Sequence, residues 1–141
     1  MTTFDQTAAT TLLQTVFAPW VQNLDLSVER IEVDSAVLRM RFSEKLCRDN
    51  GVVCGQALMS LADTAMVFAI SAAAGGYLPM TTVDQTVHFL KPAKQTDLLA
   101  DARVLRIGRT MAFGSVEIRP VNDTRPVALA QTAYALMRDA K

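Results

Sequence analysis

One segment constrains the fold more than any other: residues 51–80 are almost entirely apolar or small, and Asp63 is the only charged residue among them. Between residues 55 and 74 this segment has no proline, few β-branched residues and many alanines, which favours a long helix. Gly75 and Gly76 then end the helix. A helix that is apolar nearly all round must be covered on most of its sides. The segment therefore predicts a core helix that other elements wrap.

The remainder of the chain alternates apolar and polar residues with a period of two, which is typical of strands. A short amphipathic helix at residues 7–17, ended by Pro19, comes first. Two strands with a tight turn near Asp34 and Ser35 precede the long helix, and four strands follow it, at residues 81–90, 97–107, 111–120 and 126–137. We expect these four to form an antiparallel meander that the first pair extends. The predicted fold class is α+β, with a long central helix wrapped by a curved antiparallel sheet of about six strands.

Composition limits the classes of protein to which the chain can belong. Its 141 residues predict one domain covering residues 1–141, with its core at about residues 24–137. Half of the residues are hydrophobic, which argues against disorder. Lysine plus arginine equals aspartate plus glutamate, 14 of each, and this balance argues against a nucleic-acid partner. Because self-repulsion is weak at zero net charge, we expect apolar surface to be hidden in a homo-oligomer.

The predicted location is the cytoplasm, with no membrane partner. The two cysteines, Cys47 and Cys54, are too few for a disulfide scaffold, and the N-terminal residues lack the pattern of a signal peptide. A membrane span at residues 51–80 is disfavoured by Asp63, by the glycine break and by the missing aromatic belt. With one histidine and no clustered cysteines or carboxylates, no metal site is expected.

The lone acid of the long helix is the strongest functional signal. Helical spacing places Asp63 on one stripe with Gln56 and Ser60, in the N-terminal half of the helix. An ionised carboxylate in apolar surroundings is costly unless it has partners or is used. The free N–H groups of Gly55 and Gln56 could stabilise an oxyanion, and a carboxylate about two turns along could deprotonate a water or attack directly. This pattern suits hydrolysis of an activated acyl group. A satisfied aspartate at a subunit interface is the alternative.

Four blocks of sequence, in order, resemble PaaI-like acyl-CoA thioesterases of the hotdog superfamily: NGVVCGQALMSLADTA, TTVDQTVHFLKPAK, LLADARVLRIGRTMAFGSVEI and PVALAQTAYAL. The resemblance covers about residues 24–137. It implies a helix wrapped by a sheet, dimers that pair their sheets and often form tetramers, and active sites between subunits. In such a site the helix acid comes from one chain and the loop with the oxyanion N–H comes from the other.

The resemblance also implies roles for particular residues. Asp63 corresponds to the general base or nucleophile, Gly55 to the oxyanion donor and Thr82 to a residue that positions water. Asn50, in the loop before the helix, is a further candidate for holding the carbonyl or the water. The residues predicted to contact the substrate, of which coenzyme A is a part, are Cys54, Gln56, Ser60, Lys91, Pro92 and Arg109. No separate cofactor is expected.

Three features leave alternatives open. Cys54 and Gln56 stand where the family has a histidine and a second glycine, and the family asparagine falls on Arg48. A dimer that binds acyl-CoA or another apolar ligand without turnover is therefore the second hypothesis. A hydratase or dehydratase is a third, and it requires His88 within reach of Asp63.

Overall fold

The structure is a computed structural model in which residues 4–138 are described. The helices are α1 (Gln6–Thr15), the single-turn α2 (Pro19–Gln22) and the long α3 (Gly55–Ala74). The strands are β1 (Leu26–Glu32), β2 (Ser35–Met40), β3 (Met80–Phe89), β4 (Leu98–Ile107), β5 (Met111–Pro120) and β6 (Ala128–Leu136). Two short 3₁₀ turns, Glu44–Leu46 and Asp49–Gly51, connect β2 to α3.

The six strands form one antiparallel sheet in the order β1-β2-β4-β5-β6-β3. α3 packs on one face of this sheet, mainly across β2, β4 and β5. Every second side chain of β6 is buried. This alternation is expected of a strand that has α3 on one face and no cover on the other. The predicted fold class is confirmed, and so is the tight turn between the first two strands.

The predicted meander is wrong in one respect. β4, β5 and β6 follow one another in the sheet, but β3 pairs with β6 instead of β4 and lies at the edge. The connection at residues 90–97 is too long for a hairpin, and it is tied to the segment that precedes α3. Val53 N–H donates to the Ala93 carbonyl at 2.9 Å, and Val52 forms a β-bridge with Lys94. These contacts fix the path of the connection between β3, at the edge of the sheet, and β4.

α3 is buried through most of its length, as its composition predicts. It ends at Gly75, whose φ of 81° is left-handed and therefore suits glycine. Among residues 4–138 it is the one helix long and apolar enough to cross a membrane, and here it forms the core of the fold. Its less buried positions include Gln56, Ser60 and Asp63, so the predicted polar stripe is the open side of the helix.

The N-terminal elements cover part of α3. Asp5 caps α1 by accepting from the Ala8 N–H at 2.9 Å. Phe4 and Phe17, on either side of α1, contact Phe68 of α3, with ring centroids 6.3 and 5.6 Å away. Pro19 stands at the first position of α2, where its missing N–H costs nothing.

Candidate active site

Asp63 lies at the centre of the candidate site, on the open side of α3 and only half-buried. Its Oδ1 accepts hydrogen bonds from the Thr82 hydroxyl at 2.7 Å and from the Tyr134 hydroxyl at 2.5 Å. The Tyr134 oxygen also lies 2.8 Å from the backbone carbonyl oxygen of Asp63. Within residues 4–138, Oδ2 has no hydrogen-bond donor. One carboxylate oxygen is thus anchored and the other is open to a ligand or water.

A β-bulge places Thr82 against the helix. Thr82 and Tyr134 are directly opposite one another in the β3–β6 ladder, and the register shifts between Thr82 and Asp84. Without this extra residue, Thr82 and Gln85 would point to opposite faces of the sheet. Instead both reach α3, where the Gln85 amide donates to the Met59 carbonyl at 3.1 Å. The bulge therefore brings the threonine to the carboxylate.

Tyr134 is the buried donor of this cluster, with 1% of its surface exposed. Burial raises the pKa of its hydroxyl well above the usual range, and the nearby negative charge of Asp63 and their hydrogen bond add to the shift. The hydroxyl is therefore the donor in its hydrogen bond with the Asp63 carboxylate.

Gly55 is the first residue of α3. The preceding residue, Cys54, caps the helix without a side-chain hydrogen bond, and no backbone or side-chain acceptor from residues 4–138 meets the Gly55 N–H. This N–H therefore remains available as a donor. Gly55 borders a cavity of about 410 Å³, within the size range of small-molecule sites. The cavity is lined by Arg48, Val52, Val53, Gly55, Leu58, Phe89, Leu90, Lys91, Pro92 and Ala93.

The other residues predicted to act near the start of α3 do not line the cavity at Gly55. Cys54 and Gln56 line a second cavity, of about 310 Å³, which an exposed Trp20 borders. Ser60 donates to the Gln56 carbonyl at 2.8 Å, so its hydroxyl has a partner within the helix. Asn50 is exposed, has a left-handed φ of 72°, and lies in the turn before α3, outside both cavities.

Lys91 and Arg109, both predicted to contact the substrate, lie at opposite ends of the sheet within one chain. Lys91 borders the cavity at Gly55, just beyond the Phe89 end of β3, and its Nζ is 3.2 Å from Asp123 Oδ2. Arg109 is exposed in the turn between β4 and β5, and its carbonyl accepts from Arg138 at 2.9 Å. This turn is at the Met80 end of β3.

Within one chain, the position of His88 does not meet the requirement of the dehydratase hypothesis. This residue is six positions from Thr82 along β3, about 20 Å at the rise of a strand. It stands opposite Leu129, with which it lines a shallow cavity on the face of the sheet that α3 does not cover. Asp63 lies on the helix side, so His88 cannot act on the same substrate within one chain. Residues 4–138 contain no group of three His, Cys, Asp or Glu side chains close enough to hold a metal ion.

Three residues of the site have no counterpart in the sequence prediction. Tyr134 holds the carboxylate, Phe89 packs on Gly55, and Arg48 lines the cavity although Asn50 was the candidate. A tyrosine on the buried face of an alanine-rich strand was the available signal, because a buried hydroxyl requires a partner.

The six-stranded antiparallel sheet wrapped around one long helix is the hotdog fold. The chain belongs to the thioesterase superfamily, because the profile of that family matches residues 50–127, more than half of the chain. This membership confirms the predicted resemblance and supports a thioesterase-type hydrolase function.

Individual relatives agree with this assignment. A provisionally named esterase of Halobacterium salinarum is 31% identical over 99% of both chains. The crystal structure of a provisionally named thioesterase from Silicibacter sp. TM1040 superposes with a TM-score of 0.85 at 26% identity, covering 96% of this chain and 94% of that one. The E. coli PaaI protein from the phenylacetic acid degradation operon shares the fold, with a TM-score of 0.80 at 22% identity over 92% of this chain and 91% of its own.

Proposed function

We propose that this protein is an acyl-CoA thioesterase whose active site forms between two copies of the chain. The observation that carries the proposal is the state of Asp63. Its Oδ1 is held by two hydroxyl groups while Oδ2 is unengaged by residues 4–138, on the open stripe of an otherwise buried helix. A carboxylate in this state can accept a proton from water or attack a carbonyl carbon.

One chain cannot bring both catalytic groups to one thioester. Gly55 and Asp63 are eight residues apart on α3, about 12 Å along the helix. β3 offers the means of joining two chains, because it is an edge strand and most of its residues are exposed. α3 and β3 run in opposite directions, with Gly55 beside Phe89 and Asp63 beside Thr82. Antiparallel pairing of two β3 strands therefore brings Asp63 of one chain towards Gly55 of the other.

The same pairing accounts for the distribution of cations. Arg109 lies near the Thr82 end of β3 and Lys91 lies beyond the Phe89 end. In an antiparallel pair, Arg109 of one chain approaches Lys91 of its partner. Two cations beside an apolar cavity suit the phosphates and the pantetheine arm of coenzyme A.

In the proposed reaction, the Gly55 N–H of one chain donates to the thioester oxygen while Asp63 Oδ2 of the other acts on the substrate. As a base, Oδ2 takes a proton from a water molecule whose oxygen attacks the carbonyl carbon. As a nucleophile, Oδ2 attacks that carbon itself and water then hydrolyses the anhydride. In both routes the carbon–sulfur bond breaks, and the thiolate of coenzyme A receives a proton.

The test compares variants on a panel of aryl, short-chain and medium-chain acyl-CoA substrates. We expect Asp63→Asn to lower kcat by at least about 100-fold. Gly55→Pro removes the N–H at a helix position that tolerates proline, and the extended backbone of Cys54 suits a following proline. Gly55→Ala keeps the N–H and serves as its matched control for kcat. Folded Asp63→Asn protein with the turnover of the wild type would exclude Asp63 from the chemistry.

Mixing the two inactive variants tests the shared site. If Asp63→Asn and Gly55→Pro chains exchange subunits, each mixed dimer regains one intact site, so about a quarter of the wild-type activity returns. Absence of recovery in verified mixed dimers would place both groups in one chain and refute the arrangement. Tight binding of acyl-CoA with no hydrolysis across the panel would instead support the non-catalytic binding protein.

A further inference from the structure

We infer that Tyr134 is a positioning residue: its buried hydroxyl fixes Oδ1 of Asp63, so that Oδ2 is the oxygen that meets the water or the thioester carbonyl. This inference rests on the proposed function for its catalytic meaning. The clamp itself consists of contacts within one chain, and it can be tested separately.

The two donors of the clamp differ in rigidity. Tyr134 lies on β6, which is paired on both sides, with β3 and with β5. Its ring is buried in the core, and a phenol has few rotatable bonds. Thr82 is exposed and lies on the edge strand. The tyrosine is therefore the donor whose position the fold determines.

The phenol oxygen also fixes the carboxylate relative to the helix. It lies 2.5 Å from Oδ1 and 2.8 Å from the backbone carbonyl oxygen of Asp63, so one hydroxyl contacts both the side chain and the main chain of the same residue. This geometry restricts rotation of the carboxylate and leaves Oδ2 as the oxygen without a hydrogen-bond donor among residues 4–138. A reacting oxygen that is held in place avoids the entropy loss of being ordered in the transition state.

Removal of the hydroxyl should therefore impair the chemical step more than substrate binding. We expect Tyr134→Phe to lower kcat by about 10- to 100-fold, the effect of losing one hydrogen bond to a charged group, with KM changed by less than about twofold. Tyr77→Phe is the matched control: it removes the hydroxyl of the second of the two tyrosines, far from Asp63 in the fold.

A second measurement does not depend on activity. Tyr134→Phe should lower the thermal unfolding midpoint by several degrees in the wild type and by less in an Asp63→Ala background, because the partner carboxylate is then missing. If no acyl-CoA is hydrolysed by the wild type, the proposed function fails while this comparison still decides the clamp. Equal shifts in both backgrounds would overturn the inference, as would a Tyr134→Phe enzyme with unchanged kcat.

Discussion

Gly114 allows a stability effect to be worked out from the packing of α3 on β5. A Cβ atom at this position would lie 2.4 Å from Met66 Cε, 2.5 Å from Met66 Sδ and 2.7 Å from the Arg103 carbonyl oxygen. Non-bonded carbon atoms are most stable about 3.5–4.0 Å apart. Gly114→Ala therefore requires the helix and the strand to separate locally by about 1 Å.

Neither neighbour can move away easily. Met66 has no exposed surface, so its side chain has no free space into which it could turn. The Arg103 carbonyl belongs to the backbone of β4, which is paired with β2 and β5. Overpacking of a closed core costs about 1–3 kcal/mol, and we expect the upper end of that range because a backbone atom is involved. For a chain of this length, the thermal midpoint should fall by on the order of 10 °C.

Thermal and urea unfolding of Gly114→Ala, Met66→Ala and the double variant provide the assay. Met66→Ala alone should destabilise by leaving a cavity, and in the Gly114→Ala protein it should relieve the part of the clash that Met66 causes, while the contact with the Arg103 carbonyl remains. The double variant should therefore be more stable than the sum of the two single effects predicts. A midpoint for Gly114→Ala within about 1 °C of the wild type, or strict additivity, would show that this helix–sheet contact is looser than the structure indicates.

Three further changes have defined outcomes. Gly55→Ala should leave the thermal midpoint almost unchanged and raise KM several-fold. The new methyl group meets only the half-exposed ring of Phe89, at 3.3 Å, and that ring can turn towards the cavity. A loss of stability with unchanged KM would contradict this. In urea unfolding, the wild type should lose stability with rising pH above about pH 10 more steeply than Tyr134→Phe does. The pKa of the folded tyrosine is raised, so the unfolded chain releases that proton first. Parallel curves of stability against pH for the two proteins would count against this. The bond from the Phe42 N–H, with help from Arg39, lowers the pKa of Asp97, so this residue contributes stability above about pH 4 that is lost as the pH falls through its folded pKa. Asp97→Asn should therefore destabilise at pH 7 and flatten the acid dependence of the urea midpoint, and an unchanged acid limb would refute the assignment.

The elements of the fold could be predicted from sequence because their signals are local. Apolar character on all sides identified α3. Alternation identified the six strands, and the predicted ends of the last four lie within a few residues of those observed. The neighbour of β3 could not be predicted in this way. Alternation shows which residues share a face, but not which strand supplies the hydrogen bonds. The pairing of β3 with β6 depends on a connection that is anchored by the Val53–Ala93 bond, and this contact is not local.

The same distinction between local signals and long-range contacts applies to the candidate site. Asp63 could be predicted because a charge in an apolar helix is visible in the sequence, and Thr82 followed from the family resemblance. Tyr134 could not, since its contact with Asp63 joins residues 71 positions apart. The bulge between Thr82 and Asp84 adds a second obstacle, because simple alternation places Thr82 on the face opposite Gln85. One extra residue in the ladder reverses that assignment.

The chemical character of the partners of Asp63 bears on the role that we propose for it. A buried carboxylate that only stabilises a fold is commonly paired with lysine or arginine, which neutralises its charge. Among residues 4–138 no cationic side chain forms an ion pair with Asp63, and both of its donors are neutral hydroxyls. Two hydroxyls orient the carboxylate but leave its negative charge intact. A base must keep the capacity to accept a proton and a nucleophile must keep its electron density, and a salt bridge would reduce both. The choice of Thr82 and Tyr134 as the donors to Asp63 therefore supports the catalytic role that we propose for this residue.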